Sequence, residues 1–297
     1  MRILSIDGGG IRGLIPARVL AEIERRCGRP ISEMFDLVAG TSTGAIIACA
    51  LTRPQPLAAE RIARIYLEEG PEIFSRSLIK RIKSVEGYLD ERYESGGLLK
   101  SLNRHLGGAR LADAKPAILL TAYDLERRRA LLLRNRDDMS MVDAAHASSA
   151  APSYFEPARV GAATLVDGGV FATNPAMCAY AICGGDPELL VSLGCGEHTR
   201  RLPYETVKDW GQLEWIRPAL DIVFDGTADA VDIQLEALMT ANYMRFQTPL
   251  DEASDDLDAA TPENLAALER EAQRLIAARD DELDRLCTRL SRDRAER

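Results

Sequence analysis

A serine at a strand-to-helix turn is the first residue of this sequence that could do chemistry. Residues 35–48 begin with a short apolar run typical of a buried strand, pass through Gly-Thr-Ser-Thr-Gly around Ser42, and continue in small apolar residues typical of a buried helix. Such a turn strains the serine backbone and exposes its hydroxyl, while the flanking glycines let strand and helix approach closely. Ser42 is therefore the candidate nucleophile, and a serine that only caps the helix is the alternative.

A glycine-rich loop precedes the first predicted helix. Residues 2–6 predict a strand, followed by Asp-Gly-Gly-Gly-Ile-Arg-Gly and an amphipathic helix over 14–26. Consecutive glycines expose N–H groups that can bind a phosphate or an oxyanion, but both the dinucleotide-binding spacing and the Walker lysine are absent here. Because the strand-to-helix turn at Ser42, the serine elbow, lies downstream, we predict an oxyanion hole at Gly8, Gly9 and Gly10, with positive charge from Arg12. A loop that serves backbone geometry alone is the alternative.

A serine nucleophile needs a base, and the three histidines do not have a motif that marks one. His105 and His146 lie in predicted helices and His198 in a polar loop, so each is predicted to be a surface or packing residue. Asp167 follows a short predicted strand over 164–166 and precedes two glycines, which would place its carboxylate at the edge of a sheet. An aspartate can serve as the general base without an imidazole. The same residues are also compatible with a simple turn.

Composition excludes several classes of protein. The chain has 297 residues, 46% of them hydrophobic, which is enough for a large core, and its net charge of −9 argues against a general nucleic-acid binder. Its six cysteines lack paired zinc-site spacing, so we expect reduced thiols and no metal or cofactor. No signal peptide or bilayer-spanning run is evident, and we expect a cytoplasmic protein with at most peripheral membrane contact.

Strands and helices alternate along most of the chain. Further strands are predicted over 117–122, 130–133 and 189–193, and further helices over 57–70, 96–106 and 139–150. This alternation favours an α/β fold with a largely parallel or mixed sheet covered by helices. After about residue 203 the pattern becomes helical, ending in one long apolar stripe from Leu268 to Leu290.

A basic segment interrupts this acidic protein. Residues 73–83 interleave apolar side chains with four basic ones, an arrangement that could rest on anionic lipid headgroups. A solvated helix whose apolar side packs in the core is the alternative.

Four sequence blocks together resemble the patatin-like phospholipases. They are the glycine loop at 7–13, the Gly-Thr-Ser-Thr-Gly elbow, Ala-Ser-Ser-Ala-Ala-Pro-Ser-Tyr-Phe at 147–155, and Asp-Gly-Gly followed by Asn-Pro near 170. The resemblance implies a three-layer α/β sandwich, with a catalytic domain over 1–200 and a mainly helical region over 201–297 packed on it. It also implies a dyad of Ser42 and Asp167.

What the resemblance implies for function is a lipid acyl hydrolase of the phospholipase A type. It would act through an acyl-enzyme on membrane lipids or other acyl esters. Two alternatives stay open: an esterase for other substrates on the same scaffold, and an effector whose activity depends on a nucleotide or partner. The oligomeric state stays open as well.

Overall fold

A computed structural model describes residues 1–74 and 96–291. This part of the chain contains eight strands: β1 Arg2–Ile6, β2 Leu37–Gly40, β3 Ala117–Asp124, β4 Arg129–Arg134, β5 Ala158–Val160, β6 Ala163–Asp167, β7 Leu189–Leu193 and β8 Tyr243–Phe246. Its α-helices are α1 Leu14–Cys27, α2 Ile31–Met34, α3 Thr43–Thr52, α4 Ala59–Ile73, α5 Gly96–Leu106, α6 Met141–Ser149, α7 Gly169–Ala172, α8 Ala176–Ile182, α9 Tyr204–Val207, α10 Gln212–Met239, α11 Pro262–Ala278 and α12 Asp280–Ser291. Short 3₁₀ turns lie at Gly10–Gly13, Leu111–Asp113 and Thr240–Asn242.

All eight strands form one sheet in the order β5-β6-β3-β2-β1-β7-β8, with β4 also paired to β3. The pairs β1–β2, β1–β7, β2–β3 and β7–β8 are parallel, whereas β3–β4, β3–β6 and β5–β6 are antiparallel. The predicted α/β fold with a mostly parallel central sheet is therefore confirmed.

Helices cover both faces of the sheet. Successive residues of a strand point to opposite faces, so Leu4 packs into the larger core, which includes α1, α3 and α6, while Ile3 packs into a second core. The second core contains Ala176 from α8 and Leu235 from α10. The result is the predicted three-layer arrangement.

The arrangement of three strands explains how distant parts of the chain meet. On one edge of β3, β2 pairs with residues 117–120 and ends at Gly40 opposite Leu120. On the same edge, beyond the end of β2, β6 runs in the opposite direction and ends at Asp167 opposite Ala122. The C-terminal ends of β2 and β6 therefore face each other beside β3, although 127 positions separate Gly40 from Asp167.

One prediction for the C-terminal part was wrong in detail. Residues 243–246, expected to be helical, form β8, which extends the sheet beside β7. The apolar stripe from Leu268 to Leu290 is divided between two helices, because α11 ends before Arg279 and α12 begins after it. Both helices pack against α1. The boundary near residue 200 stays a prediction.

The basic segment at 73–83 lies mostly outside the described residues, which contain only Ile73 and Phe74 of it. Within the described part of the chain, no helix combines the length and apolarity needed to cross a membrane.

Candidate active site

Ser42 occupies a sharp turn between β2 and α3. Its backbone lies at φ 55° and ψ −121°, a conformation that residues with a side chain rarely adopt. A Cβ atom on Gly40 would lie 2.3 Å from the carbonyl oxygen of Gly44, and one on Gly44 would lie 2.1 Å from the carbonyl oxygen of Ile6. Strand and helix can therefore approach this closely only with glycines at both positions, as the sequence pattern predicts.

Two serines from α6 hold the Ser42 backbone. The Ser42 N–H donates to Ser148 Oγ at 2.9 Å, and Ser149 Oγ donates to the Ser42 carbonyl at 3.3 Å. Both serines belong to the block at 147–155, whose role could not be derived from its residues alone. In the structure this block fixes the elbow.

Asp167 meets Ser42 at the end of β6. The Asp167 side chain is almost fully buried, accepts a hydrogen bond from the Gly169 N–H at 2.7 Å, and lines the same cavity as the Ser42 side chain. Burial raises the pKa of Asp167 to about 7, although the nearby Ser42 hydroxyl and the hydrogen bond from the Gly169 N–H act to lower it. A carboxyl group with this pKa can both take up and release a proton near neutral pH.

The glycine loop offers two N–H groups instead of the predicted three. The Gly8 N–H donates to the Thr173 carbonyl at 3.0 Å, so the prediction that Gly8 is an oxyanion donor was wrong. For Gly9 and Gly10, no acceptor among the described residues receives the backbone N–H. Gly8 instead provides close packing, because a Cβ atom there would lie 3.3 Å from Ser42 Cβ.

Arg12 orients the peptide between Gly9 and Gly10. Its Nε donates to the Gly9 carbonyl at 3.3 Å, as does its backbone N–H at 3.1 Å. Since the C=O and N–H of a trans peptide point in opposite directions, this holds the Gly10 N–H away from Arg12. Arg12 is buried, and its Nη1 has no hydrogen-bond partner in the described part of the chain.

A buried ion pair anchors the start of the loop. Arg245 Nη2 in β8 donates to Asp7 Oδ2 at 2.6 Å. Burial raises the pKa of Asp7 to about 6, while the charge and hydrogen bond of Arg245 act against that rise. Sequence reasoning missed this pair because it missed β8.

Ser42, Asp167 and the glycine loop line one cavity of about 290 Å³. Helices α4 and α5 contribute apolar side chains to it, and α10 contributes polar ones. The apolar residues on the walls include Ile46, Ile62, Ile65, Ile73, Phe74, Leu98, Leu102, Leu106, Tyr154 and Phe155. Such walls suit a hydrocarbon chain, because they remove apolar surface from water.

Two of the three histidines, His198 and His105, line the cavity. His198 is largely buried, lines the same cavity as Ser42, and places Nδ1 3.0 Å from Asp225 Oδ2. Its Nε2 is buried and, among the described residues, has no hydrogen-bond partner. His105 also lines the cavity and pairs with Glu69 at 2.7 Å, whereas His146 is not among the lining residues and burial lowers its pKa.

No metal-binding cluster is evident in the described ranges, which hold no group of three or more His, Cys, Asp or Glu side chains placed to bind a metal ion.

These features define an α/β protein in which one cavity is lined by a strained serine, a buried carboxyl group and a glycine loop. The model of the patatin-like phospholipase family matches residues 4–180, which is more than half of the chain. The chain belongs to this family.

Curated relatives match almost the whole chain. Patatin-like protein 2 of Arabidopsis thaliana is 32% identical, over 92% of this chain and 82% of its own length. Patatin-like protein 1 of Oryza sativa subsp. indica is 31% identical, over 93% of this chain and 81% of its own. A Solanum tuberosum protein named "Probable inactive patatin-3-Kuras 1" is 26% identical, over 92% and 86%. Among solved structures, VipD from Legionella pneumophila is 14% identical, with a TM-score of 0.44 over 93% of this chain and 67% of its own.

Proposed function

We propose that this protein is a lipid acyl hydrolase that cleaves acyl esters of glycerophospholipids through Ser42 and Asp167. The observation that carries the proposal is that one cavity with many apolar wall residues is lined both by a serine in a strained turn and by the buried carboxyl group of Asp167, whose pKa burial raises to about 7. Membership of the patatin-like phospholipase family supports the lipid ester as substrate.

The first half of the reaction forms an acyl-enzyme. Asp167 takes the hydroxyl proton of Ser42, and Ser42 Oγ attacks the ester carbonyl carbon. The N–H groups of Gly9 and Gly10 are available for the oxyanion that develops. When the tetrahedral intermediate collapses, the carbon–oxygen bond to the leaving alcohol breaks, and Asp167 returns the proton to that alcohol.

Water completes the cycle in the second half. Asp167 takes a proton from a water molecule, which attacks the acyl carbonyl. The bond to Ser42 Oγ then breaks, and the serine recovers its proton from Asp167. A pKa near 7 serves both halves, because the group must act once as base and once as acid in each of them.

The buried hydrogen bonds around the Ser42 turn contribute to catalysis, because they keep the nucleophile in place. Ser148 and Ser149 fix the backbone of Ser42 from α6, and Gly169 fixes one oxygen of Asp167. The reacting groups are therefore positioned before substrate arrives, which lowers the cost of reaching the transition state.

The test is lipid product analysis with Ser42→Ala, using Ser291→Ala as a matched control at the end of α12. We expect Ser42→Ala to lose at least about 10³-fold in kcat/KM, with an unchanged circular dichroism spectrum, and Ser291→Ala to keep its activity. A panel of phospholipid, monoacyl lipid and short soluble esters identifies the preferred substrate. Full activity of Ser42→Ala would refute the proposal. A preference for short soluble esters would show that the substrate is an ester other than a lipid.

A further inference from the structure

The outer face of helix α10 carries an exposed apolar stripe. The inner face of this helix packs on the rest of the protein, where Phe224 and Leu235 are buried. On the outer face, exposed uncharged residues follow one another at intervals of four or three positions, which places them on one side of the helix. This outer stripe consists of Trp215, Ala219, Ile222, Gly226, Ala230, Ile233 and Ala237.

The apolar area of this face is large for a surface that meets only water. Ile233 is 69% exposed and Ile222 49%, and Trp215, Ile216 and Val223 are exposed on or beside the stripe. At roughly 200 Å² for a fully exposed large apolar side chain, these five expose on the order of 500 Å². The small and polar residues around them bring the face close to the ~800 Å² that each partner contributes to a standard stable interface. An exposed apolar patch of this size indicates an interaction surface.

The side-chain sizes along the outer stripe reverse about Gly226. Residues that lie four, seven or eleven positions before Gly226 have counterparts at the same distance after it. In each of the three pairs, one member is large and the other is small. The pairs are Ile222 with Ala230, Ala219 with Ile233, and Trp215 with Ala237.

This reversal makes the stripe complementary to a second copy of itself. If two α10 helices run antiparallel and cross at Gly226, each residue before Gly226 faces its counterpart after Gly226 in the other copy. Every large side chain then meets a small one, which is how facing helices interdigitate. Gly226 from both copies allows the backbones to approach at the crossing point. A two-fold interface requires this kind of self-complementary patch, whereas a lipid surface or an unrelated protein does not.

We propose that the protein forms a two-fold symmetric homodimer through the outer stripe, with the two α10 helices antiparallel and crossing at Gly226. The dimer does not depend on the proposed ester chemistry. Phe224 and Ala228, which line the cavity that contains Ser42, lie on the other side of the helix.

Like charges on one flank of the stripe oppose this association. Asp229 and Glu236 are exposed, and the helical repeat places both on the same side of the stripe. A two-fold axis brings this side of both copies together. Added salt screens the repulsion between the carboxylates, so the dimer should be tighter at high ionic strength.

The first measurement is the mass of the full-length protein in solution, by sedimentation velocity. The concentration range is about 1 to 50 µM, since interfaces of this size have dissociation constants that are micromolar or tighter. We expect twice the mass of one chain, with a lower dissociation constant in about 500 mM than in about 50 mM NaCl.

Gly226→Arg separates the dimer from the fold. A Cβ atom on Gly226 would meet no heavy atom of the described residues within 4 Å, so one chain alone accommodates the new side chain. In the dimer, two arginines would collide at the crossing point. We expect a monomer with an unchanged circular dichroism spectrum and a melting temperature no lower than that of the wild type, because a helix glycine has been replaced. Ala277→Arg, at an exposed position of α11, adds the same side chain elsewhere and should remain dimeric.

Exchanging the sizes of one pair tests the antiparallel register. Ile233→Ala leaves a cavity opposite Ala219 of the other copy, and Ala219→Ile places two isoleucines opposite each other. Each single change should raise the dissociation constant at least about tenfold. The double variant places a small residue opposite a large one again, so its dissociation constant should return to within about threefold of the wild type.

Several results would overturn the inference. They are a wild-type protein that is monomeric at the highest concentration, a Gly226→Arg variant that remains dimeric, and an Ala277→Arg variant that dissociates equally. A double variant of residues 219 and 233 that is as weak as the single changes combined would also overturn it, because the predicted pairs would not meet. A monomeric wild type that binds phosphatidylcholine vesicles, with that binding lost in Gly226→Arg, would assign the stripe to a lipid surface instead of a second copy.

Discussion

The pKa of Asp167 predicts how activity depends on pH. Burial raises this pKa from 3.8 to about 7, which corresponds to on the order of 4 kcal/mol at about 1.36 kcal/mol per pH unit. The general base is the ionised carboxylate. Because the raised pKa keeps the carboxyl group protonated below neutral pH, we expect kcat/KM to fall about tenfold per pH unit below pH 6 and to level off above pH 8.

The assay uses a short soluble ester, since the local pH at a vesicle surface differs from that of the buffer. Asp7 also titrates beside the cavity, with a pKa of about 6. Asp7→Asn separates the two groups. The fall in kcat/KM near pH 7 should remain in that variant, with a lower plateau because Arg245 loses one of its two carboxylate partners, Asp7, and keeps Asp232. A flat profile between pH 5 and 9, or a midpoint near 4, would refute the assignment of Asp167 as a buried base.

The free energy of unfolding should also depend on the protonation of Asp167. Raising the pH should increase activity and decrease stability. A folded-state pKa above the unfolded value means that the folded protein binds the proton more tightly. The stabilisation from protonated Asp167 is complete below pH 3.8 and is lost as pH rises through 7. Asp167→Asn should remove this loss, so thermal unfolding at pH 5 and pH 8 should differ less in the variant than in the wild type. An equal difference in both proteins would contradict the reasoning.

Three further variants test the supporting geometry. Gly10→Ala should abolish most activity and lower the melting temperature, because Gly10 has φ +57° and a Cβ atom would lie 2.2 Å from the Leu257 carbonyl oxygen. A variant with wild-type activity and an unchanged melting temperature would contradict this loop geometry. His198→Ala should reduce kcat/KM on a short soluble ester by less than tenfold, whereas a loss of 10³-fold would indicate that a histidine serves as the base. Ser148→Ala removes the acceptor of the Ser42 N–H, and we expect a loss of about 1–3 kcal/mol in the free energy of unfolding together with a lower kcat; unchanged values of both would show that the elbow does not depend on this hydrogen bond.

Local sequence patterns predicted the parts of the fold that depend on residues close to one another in the sequence. The elbow around Ser42 is visible in the sequence because a strand, a tight turn and a helix each have their own signature, and glycine is required where backbones touch. The strand ending at Asp167 was predicted for the same reason. That the two residues meet depends on β2 and β6 ending head to head beside β3, and no local pattern encodes that arrangement.

Residues that act across long distances in the sequence were missed. Arg245 lies in a four-residue strand without clear alternation, so its pairing with Asp7 had no local signal. His198 lies in a polar loop, where only the fold shows that it is largely buried beside the cavity. Gly8 looked equivalent to Gly9 and Gly10, and only the position of the Thr173 carbonyl distinguishes it.

The most direct test of the central claim is covalent labelling with a fluorophosphonate probe, followed by mass-spectrometric mapping of the adduct. A fluorophosphonate reacts with an activated serine, so we expect a single adduct on Ser42 in the wild-type protein and slower labelling at the same site in Asp167→Asn. An adduct on another residue, or labelling of Ser42 at the same rate without the Asp167 carboxylate, would contradict the account.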